Sequence, residues 1–184
     1  MPAPEGQFIA FTAKGDPPRK RLVLRTPAGV RQAVSLVGER VPQSFTAIWD
    51  TGASATCISP KISKALGLIS FEMATVHAAG NSFDSPVYKI DVFLPNGLVV
   101  TDIRALEADN IQGGDMLIGM DIITTGDLSI TNANDNTWFS FRFPPAKAHI
   151  DYAEQQRHQS HGRPEQAQSR QNLIKHLKKR GQLR

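Results

Sequence analysis

An all-β fold, a barrel or sandwich of short strands with one or two short helices, is what this 184-residue sequence predicts. Two observations carry the prediction. Short runs rich in Val, Ile, Thr and Phe recur along residues 1–144, and Gly, Pro and Asn turn signals separate them. A third observation sets the limit of the fold. After Pro144-Pro145 the composition turns to Gln, Arg, Lys and His, with almost no strand formers.

The strands follow in order. Phe8 to Phe11 is the first, and Gly15-Asp16-Pro17-Pro18 breaks it. Arg21 to Leu24, Val30 to Val37, Ser44 to Trp49 and Ala55 to Ile58 come next. Ser59-Pro60 then starts a short helix, with Ser at the N-cap and Pro at the first helical position. Ile62, Ala65 and Leu66 share one face of it, and Gly67 ends it. Strands resume at Phe71 to Val76 and Val87 to Leu94, and Pro95-Asn96-Gly97 predicts a hairpin into Leu98-Val99-Val100. Asp102 to Leu106, Met116 to Ile118, Leu128 to Ile130 and Thr137 to Phe143 complete the set, with a short helix over Asp121 to Gly126. There is no internal repeat.

The domain reading is an N-terminal extension over 1–20, a globular domain over 21–144 and a polar basic tail over 145–184. Residues 145–163 are expected to be disordered. Residues 164–180 are expected to form a helix with a thin stripe of Leu173, Ile174 and Leu177. The net charge of +4 hides an asymmetry: the tail holds nine basic and three acidic residues of totals of 21 and 17, which leaves 12 and 14 in residues 1–144. Two readings of the tail follow. It is a solvated extension, or it makes an electrostatic contact with an anionic partner such as nucleic acid, a membrane surface or an acidic protein. Tyr152 is its only aromatic residue, which argues against base stacking on single strands.

Hydrophobic residues make up 40% and charged residues 21%, which suits a packed core. No apolar run approaches the roughly 18 residues of a transmembrane segment, and Met1 to Gly6 lacks the layout of a signal peptide. With a lone Cys57, which excludes an internal disulfide framework, these features predict a cytoplasmic protein.

The chemistry concentrates at Ile48-Trp49-Asp50-Thr51-Gly52-Ala53-Ser54. An apolar strand delivers Asp50 to a tight turn, where backbone N–H groups can point at a carboxylate and Thr51 supplies a hydroxyl. These are also ordinary turn residues. The apolar runs on both sides, however, sandwich the turn between buried strands. This segment resembles the catalytic motif of the retropepsin family of aspartic proteases. Met116-Leu117-Ile118-Gly119-Met120-Asp121-Ile122-Ile123 resembles the family's second signature, and Val76 to Phe83 stands where the family carries a flap hairpin. The resemblance spans about residues 20–143.

The resemblance implies a closed β-barrel with a flap, and a homodimer that pairs two Asp50 carboxylates. Two carboxylates in contact hold one proton between them, as aspartic-protease dyads do. The ionised member activates water and the protonated one donates to the scissile carbonyl of a peptide or protein substrate. It further implies catalytic roles for Asp50, Thr51 and Gly52. Substrate contacts are implied at Ala53, His77, Ala78, Ala79, Gly80, Ile118 and Gly119. Met120 stands where retroviral members carry a dimer-supporting arginine. The competing reading is a non-catalytic dimeric peptide-binding or scaffold module on the same fold. In another the barrel only dimerises the tail.

Other constellations are weaker. Cys57 and His77 could form a nucleophile and base, but Cys57 lies in an apolar strand. His149, His158 and His161 sit in a polar tail without the cysteines of a structural zinc site. Gly113-Gly114-Asp115 lacks the Lys-Ser/Thr of a phosphate loop. Asp102, Glu107, Asp109 and Asp115 read as a solvated acidic stretch. Nothing in the sequence calls for a cofactor or a bound metal.

Overall fold

A computed structural model describes residues 8–14, 24–33, 41–78, 81–133, 136–160 and 174–179. The expected strand at Arg21 to Val23, the C-terminal part of Val30 to Val37, and the helix start at Pro164 lie outside these residues. The chain divides into two compact units, Met1–Ala146 and Lys147–Arg184.

The first unit contains ten strands, β1 (Ile9–Lys14), β2 (Arg25–Gln32), β3 (Gln43–Trp49), β4 (Cys57–Ile58), β5 (Glu72–Ala78), β6 (Asn81–Phe93), β7 (Val99–Glu107), β8 (Met116–Ile118), β9 (Asp127–Ala133) and β10 (Asn136–Phe143). Two short helices interrupt them, α1 (Pro60–Leu66) and α2 (Met120–Ile123). Six strands close on themselves in the order β2-β3-β8-β4-β7-β6, with β6 pairing back onto β2 from Gly29↔Phe93 to Gln32↔Ile90. The residues left barrel and sandwich open; this is the closed barrel that the family resemblance implies, and closure removes the free edges an open sheet would present. β5 lies outside the ring as the first strand of a hairpin with β6.

The barrel has one topological feature on which the site depends. β3 runs parallel to β8, with Trp49 opposite Ile118, and β8 runs antiparallel to β4, with Cys57 opposite Leu117. β8 is thus inserted between β3 and β4, and the chain linking those two strands must cross the end of β8. That crossing segment is residues 50–56.

The remaining three strands form a second sheet, in the order β1-β10-β9. Phe11 of β1 and Phe139 and Phe141 of β10 meet Trp49 of β3 in an aromatic cluster with ring centroids 4.9–6.2 Å apart. Trp49 also donates its indole N–H to Thr26 Oγ1 at 3.0 Å, which satisfies the one polar atom it buries. Burying each Phe contributes roughly 1.5–3 kcal/mol, so the second sheet is fastened directly beneath the strand that carries Asp50. Ile9–Lys14, placed by the sequence reading in an N-terminal extension, is therefore a working strand of the unit, in register with Trp138–Phe143.

α1 ends as predicted: Gly67 adopts φ 57°, the left-handed cap conformation that favours glycine. Its start differs in detail. Ser59 occupies the N-cap, but its hydroxyl makes no capping bond, while its amide donates to the Asp115 carbonyl at 2.9 Å. The predicted hairpin at Pro95-Asn96-Gly97 joins β6 to β7, with Asn96 at φ 61° and Gly97 at φ 78°.

In the second unit, Tyr152–Ser160 forms a helix, α3, where the sequence reading expected disorder. Its start has a local cause: the Asp151 carboxylate accepts the Glu154 amide at 2.9 Å, an N-cap that satisfies one of the helix's open donors. Residues 174–179 are also helical, inside the helix expected over 164–180. Among the described residues no helix is long and apolar enough to cross a membrane.

Candidate active site

β3 ends at Trp49, and the Asp50 amide donates to the Ile118 carbonyl at 3.0 Å, the last bond of the β3–β8 ladder. The chain then turns. The Ala53 amide reaches back to the Asp50 carbonyl at 3.2 Å, and the Gly52 amide donates to Asp50 Oδ1 at 2.8 Å. A Cβ at Gly52 would stand 3.1 Å from that oxygen, closer than side chains ordinarily pack, so glycine lets the backbone approach the carboxylate. Asp50 is half-buried, and Thr51 and Gly52 are exposed. The Thr51 hydroxyl has no partner among the described residues.

The second signature holds this turn from below. A Cβ on Gly119 would lie 2.5 Å from the Ala55 carbonyl carbon and 2.9 Å from the Thr56 nitrogen. Only a residue without a side chain lets the 50–56 crossing lie flat on the end of β8. The Met120 amide donates to the Ala53 carbonyl at 2.8 Å, which ties the turn to the first residue of α2. Thr56, fully buried, donates its amide to Asp121 at 2.9 Å and its hydroxyl to the same carboxylate at 2.8 Å. The Thr56 hydroxyl also accepts the Gly119 amide at 3.2 Å. Asp121 therefore fastens the far side of the turn in the position next to Met120. Sequence reasoning quoted Asp121 within its motif but gave it no role. An acidic residue two positions after the signature glycine is the signal that could have found it.

The predicted substrate-contact residues are spread over two structures. Ala53 is half-buried within the turn. Ile118 is fully buried, so it supports the site from inside the core and offers no surface to a ligand. Its neighbour Leu117 points the other way by strand alternation and is half-exposed. Gly119 lies beneath the crossing, as described. The flap is the β5–β6 hairpin, in register from Glu72↔Val87 to Ala78↔Asn81. Ala79 and Gly80, its expected tip, lie outside the described residues.

Cross-strand register sorts the hairpin's side chains into two faces. Val76 and Phe83 share a face with the buried Ser85 and Val87. His77 lies on the opposite face, where its Nδ1 bonds Ser82 Oγ at 2.8 Å beside a Thr75–Asp84 bond of 2.8 Å. The sequence reading named His77 as a ligand contact. The period of two along a strand instead puts Val76 and the half-exposed Phe83 on the face of Ser85 and Val87.

Cys57 and His77 do not form a nucleophile–base pair. The Cys57 thiol donates to the Ala55 carbonyl at 3.6 Å. Burial first, then the negative charges of Asp121 and Asp50, push its pKa up to about 11, away from the thiolate a nucleophile needs. The acidic residues past position 100 do not cluster either. Asp102 pairs with Lys89, Glu107 accepts from Tyr88 and Ser63, and Asp115 pairs with Lys61. Burial raises the Asp115 pKa, but the Lys61 bond, the Thr46 amide and the Lys61 charge outweigh it, and the net shift is downward. Gly113, at φ 82°, lies against the Arg25 side chain, whose Nε donates to the Gly113 carbonyl at 2.7 Å. That glycine pair serves loop packing.

A family model described as "gag-polyprotein putative aspartyl protease" matches residues 41–125. That span includes the Asp50 turn, the hairpin and the Gly119 segment. No curated protein matches the chain. Among solved structures, a retropepsin-like aspartic protease from Rickettsia conorii aligns at 13% identity over 74% of this chain and 94% of that one, with a TM-score of 0.47. EIAV protease in complex with an inhibitor aligns at 14% identity over 59% and 92%, with a TM-score of 0.42. The retroviral protease-like domain of Ddi1 from Leishmania major aligns at 16% identity over 64% and 93%, with a TM-score of 0.39. Over residues 41–125, the chain is thus similar to the gag-polyprotein aspartyl proteases that the family model describes.

Proposed function

We propose that this protein is an aspartic endopeptidase that works as a homodimer, with one Asp50 from each subunit forming the catalytic pair. The observation that carries the reading is the seat of Asp50. It is a half-buried carboxylate at the end of a core strand, held by the Gly52 amide at 2.8 Å and braced from below by Gly119 and Asp121. A surface turn has no need of such bracing.

A single carboxylate can be a base or an acid but not both at once. Peptide hydrolysis by direct attack of water needs both, one to take the water's proton and one to give a proton to the carbonyl oxygen. Two Asp50 carboxylates sharing a proton supply the two roles, because like charges in contact keep one of them neutral. The exposed Thr51 hydroxyl is the group that would bond to the partner's turn. The β5–β6 hairpin would bring Val76 and Phe83 over the substrate and exclude water from it. Ala53, Ala78, Ala79 and Gly80 would supply the backbone along which an extended peptide lies, in a cytoplasmic setting.

Cleavage of an unstructured peptide library, scanned from roughly pH 4 to pH 7, tests this reading. Wild-type protein cleaves, with activity rising toward the acid side. Asp50→Asn loses about 10²–10⁴-fold in rate, the usual contribution of a positioned acid–base group. Equal cleavage by both proteins would place the chemistry elsewhere. No cleavage by either, from protein shown to be folded and dimeric, would favour the scaffold reading.

A further inference from the structure

The second unit carries its charge unevenly. Residues 145–165 hold Lys147, Arg157 and Arg163 against Asp151, Glu154 and Glu165, which cancel. The two signs also meet there: the Arg157 guanidinium lies 3.9 Å from the Asp151 carboxylate at the start of α3. Residues 166–184 hold Arg170, Lys175, Lys178, Lys179, Arg180 and Arg184, and no Asp or Glu. A surface that serves only to keep a chain in solution mixes the two signs. A run of cations without one acid makes a single-sign field, which attracts a polyanion.

Helical geometry focuses that field. Residues 174–179 are helical, and Lys175, Lys178 and Lys179 are exposed. Their spacing of i, i+3 and i+4 puts the three on one face. Ile174 and Leu177 share a neighbouring face, and Leu177 is half-buried. Three features choose among polyanions. A helix lying in a membrane surface needs a broad apolar face with Trp, Phe or Leu; here Leu173, Ile174 and Leu177 make a narrow one, and residues 166–184 hold no Trp, Phe or Tyr. Lysine is depleted where two proteins bury surface against each other, which argues against an acidic protein. The lack of aromatic residues removes stacking on the bases of single strands. The phosphate backbone of a duplex requires none of these, only exposed cations.

We propose that the helix at residues 174–179 binds double-helical nucleic acid through its phosphates, by way of Lys175, Lys178 and Lys179 and without reading sequence. Arg170, Arg180 and Arg184 add charge on either side of it in the sequence. The inference is independent of the reading of Asp50 and gives the chain a second, separate activity. Each phosphate neutralised releases condensed counterions, so affinity falls with salt according to the number of contacts. Three lysines give a slope of log K against log salt of about −3, and the three arginines deepen it to at most about −5. Binding therefore weakens about 10²- to 10³-fold between roughly 50 and 200 mM salt.

Fluorescence anisotropy of the full chain tests the proposal, with two labelled DNA duplexes of unrelated sequence and an RNA duplex, each of about 20 base pairs. The expected dissociation constants are about 10⁻⁴–10⁻⁶ M near physiological salt, the same for both DNA sequences, with the slope given above. Binding to either kind of duplex supports the proposal, and the tighter one names the acid the helix takes. The triple variant Lys175→Gln, Lys178→Gln, Lys179→Gln keeps good helix formers at all three positions. It weakens both DNA duplexes alike and makes the slope shallower by about 3, with the circular dichroism of wild type. Phosphatidylserine vesicles and polyglutamate serve as competitors. Either one displacing the labelled duplex as well as unlabelled duplex does overturns the proposal, in favour of a membrane surface or an acidic protein. No binding at roughly 50 mM salt, an unchanged slope in the triple variant, or a strong preference for one DNA sequence overturns it as well. None of these outcomes touches the Asp50 reading.

Discussion

The Asp50 turn and the β5–β6 hairpin lie in the same barrel and belong to the same proposed site, but they are held in opposite ways. The turn is fixed from three directions. Its own Gly52 amide holds the carboxylate, the Met120 amide ties Ala53, and the Thr56–Asp121 pair clamps the far side. Gly119 lies under it with no room for a methyl group. Among the described residues, β5 is held by its ladder to β6 and by exposed side-chain bonds, Thr75–Asp84 and His77–Ser82 toward the tip and Glu72–Arg104 at the base. β5 is the outermost strand of its sheet, and no strand pairs with its other edge among the described residues. A group that must meet its copy within hydrogen-bond reach needs the first kind of construction. A segment that must open for a peptide and close over it suits the second, since few buried contacts permit local opening.

Substitutions that weaken one region and spare the other can break this contrast. Gly119→Ala has the largest expected effect on the turn. The added carbon meets Ala55 backbone at 2.5 Å, so the crossing must lift. About 1–3 kcal/mol of stability goes with it, and activity falls further than stability because the Asp50 carboxylate shifts too. Urea denaturation and peptide cleavage on the same preparation check both parts.

Thr56→Val comes next. It leaves the Gly119 amide and one oxygen of the buried-side Asp121 carboxylate without their present partner, at a cost of about 1–3 kcal/mol. The expected mark is a lower stability together with a lower kcat, because the loss lies under the Asp50 turn. A stability loss with kcat unchanged would mean that the clamp does not govern the position of Asp50.

The smallest effect belongs to the hairpin. His77→Ala removes one exposed cross-strand pair, about 0.2–1 kcal/mol, and leaves kcat within a few-fold of wild type. A loss as large as that of Thr56→Val would erase the distinction between the two regions and return His77 to the substrate.

The same contrast explains what was legible in the sequence. The turn could be read because its steric demands fix residue types. Asp50 and Gly52 sit where a carboxylate meets a backbone amide, and Gly119 sits where a strand is crossed, so these identities have few substitutes. Gly67 and Pro60 marked α1 for the same reason, and Asn96-Gly97 marked a turn with positive φ. The hairpin was placed through the family resemblance, over Val76 to Phe83, but the assignment of faces was not legible. His77 and Val76 are neighbours in sequence, and only the register with Ser82 and Phe83 tells which one shares the face of the buried Ser85 and Val87.

Contacts far apart in sequence were less legible still. Phe8 to Phe11 read as a strand, but nothing local showed that its partner lies at residues 138–143, and so β1 was set apart as an extension. Asp121 looked like one more acid in a short helix until Thr56 appeared beside it. α3 carries almost no apolar stripe and read as disorder, yet the Asp151 cap starts it.

The central claim is that one active site needs two Asp50 carboxylates. It is tested most directly by co-refolding wild type with Asp50→Asn protein in varied proportion, at fixed total concentration, and measuring peptide cleavage. If the site is shared, activity follows the fraction of dimers carrying two aspartates and falls to about one quarter at equal proportions, as random pairing in a two-fold dimer requires. Activity that falls in direct proportion to the wild-type fraction, to about one half at that point, would mean that each chain works alone and would contradict the account.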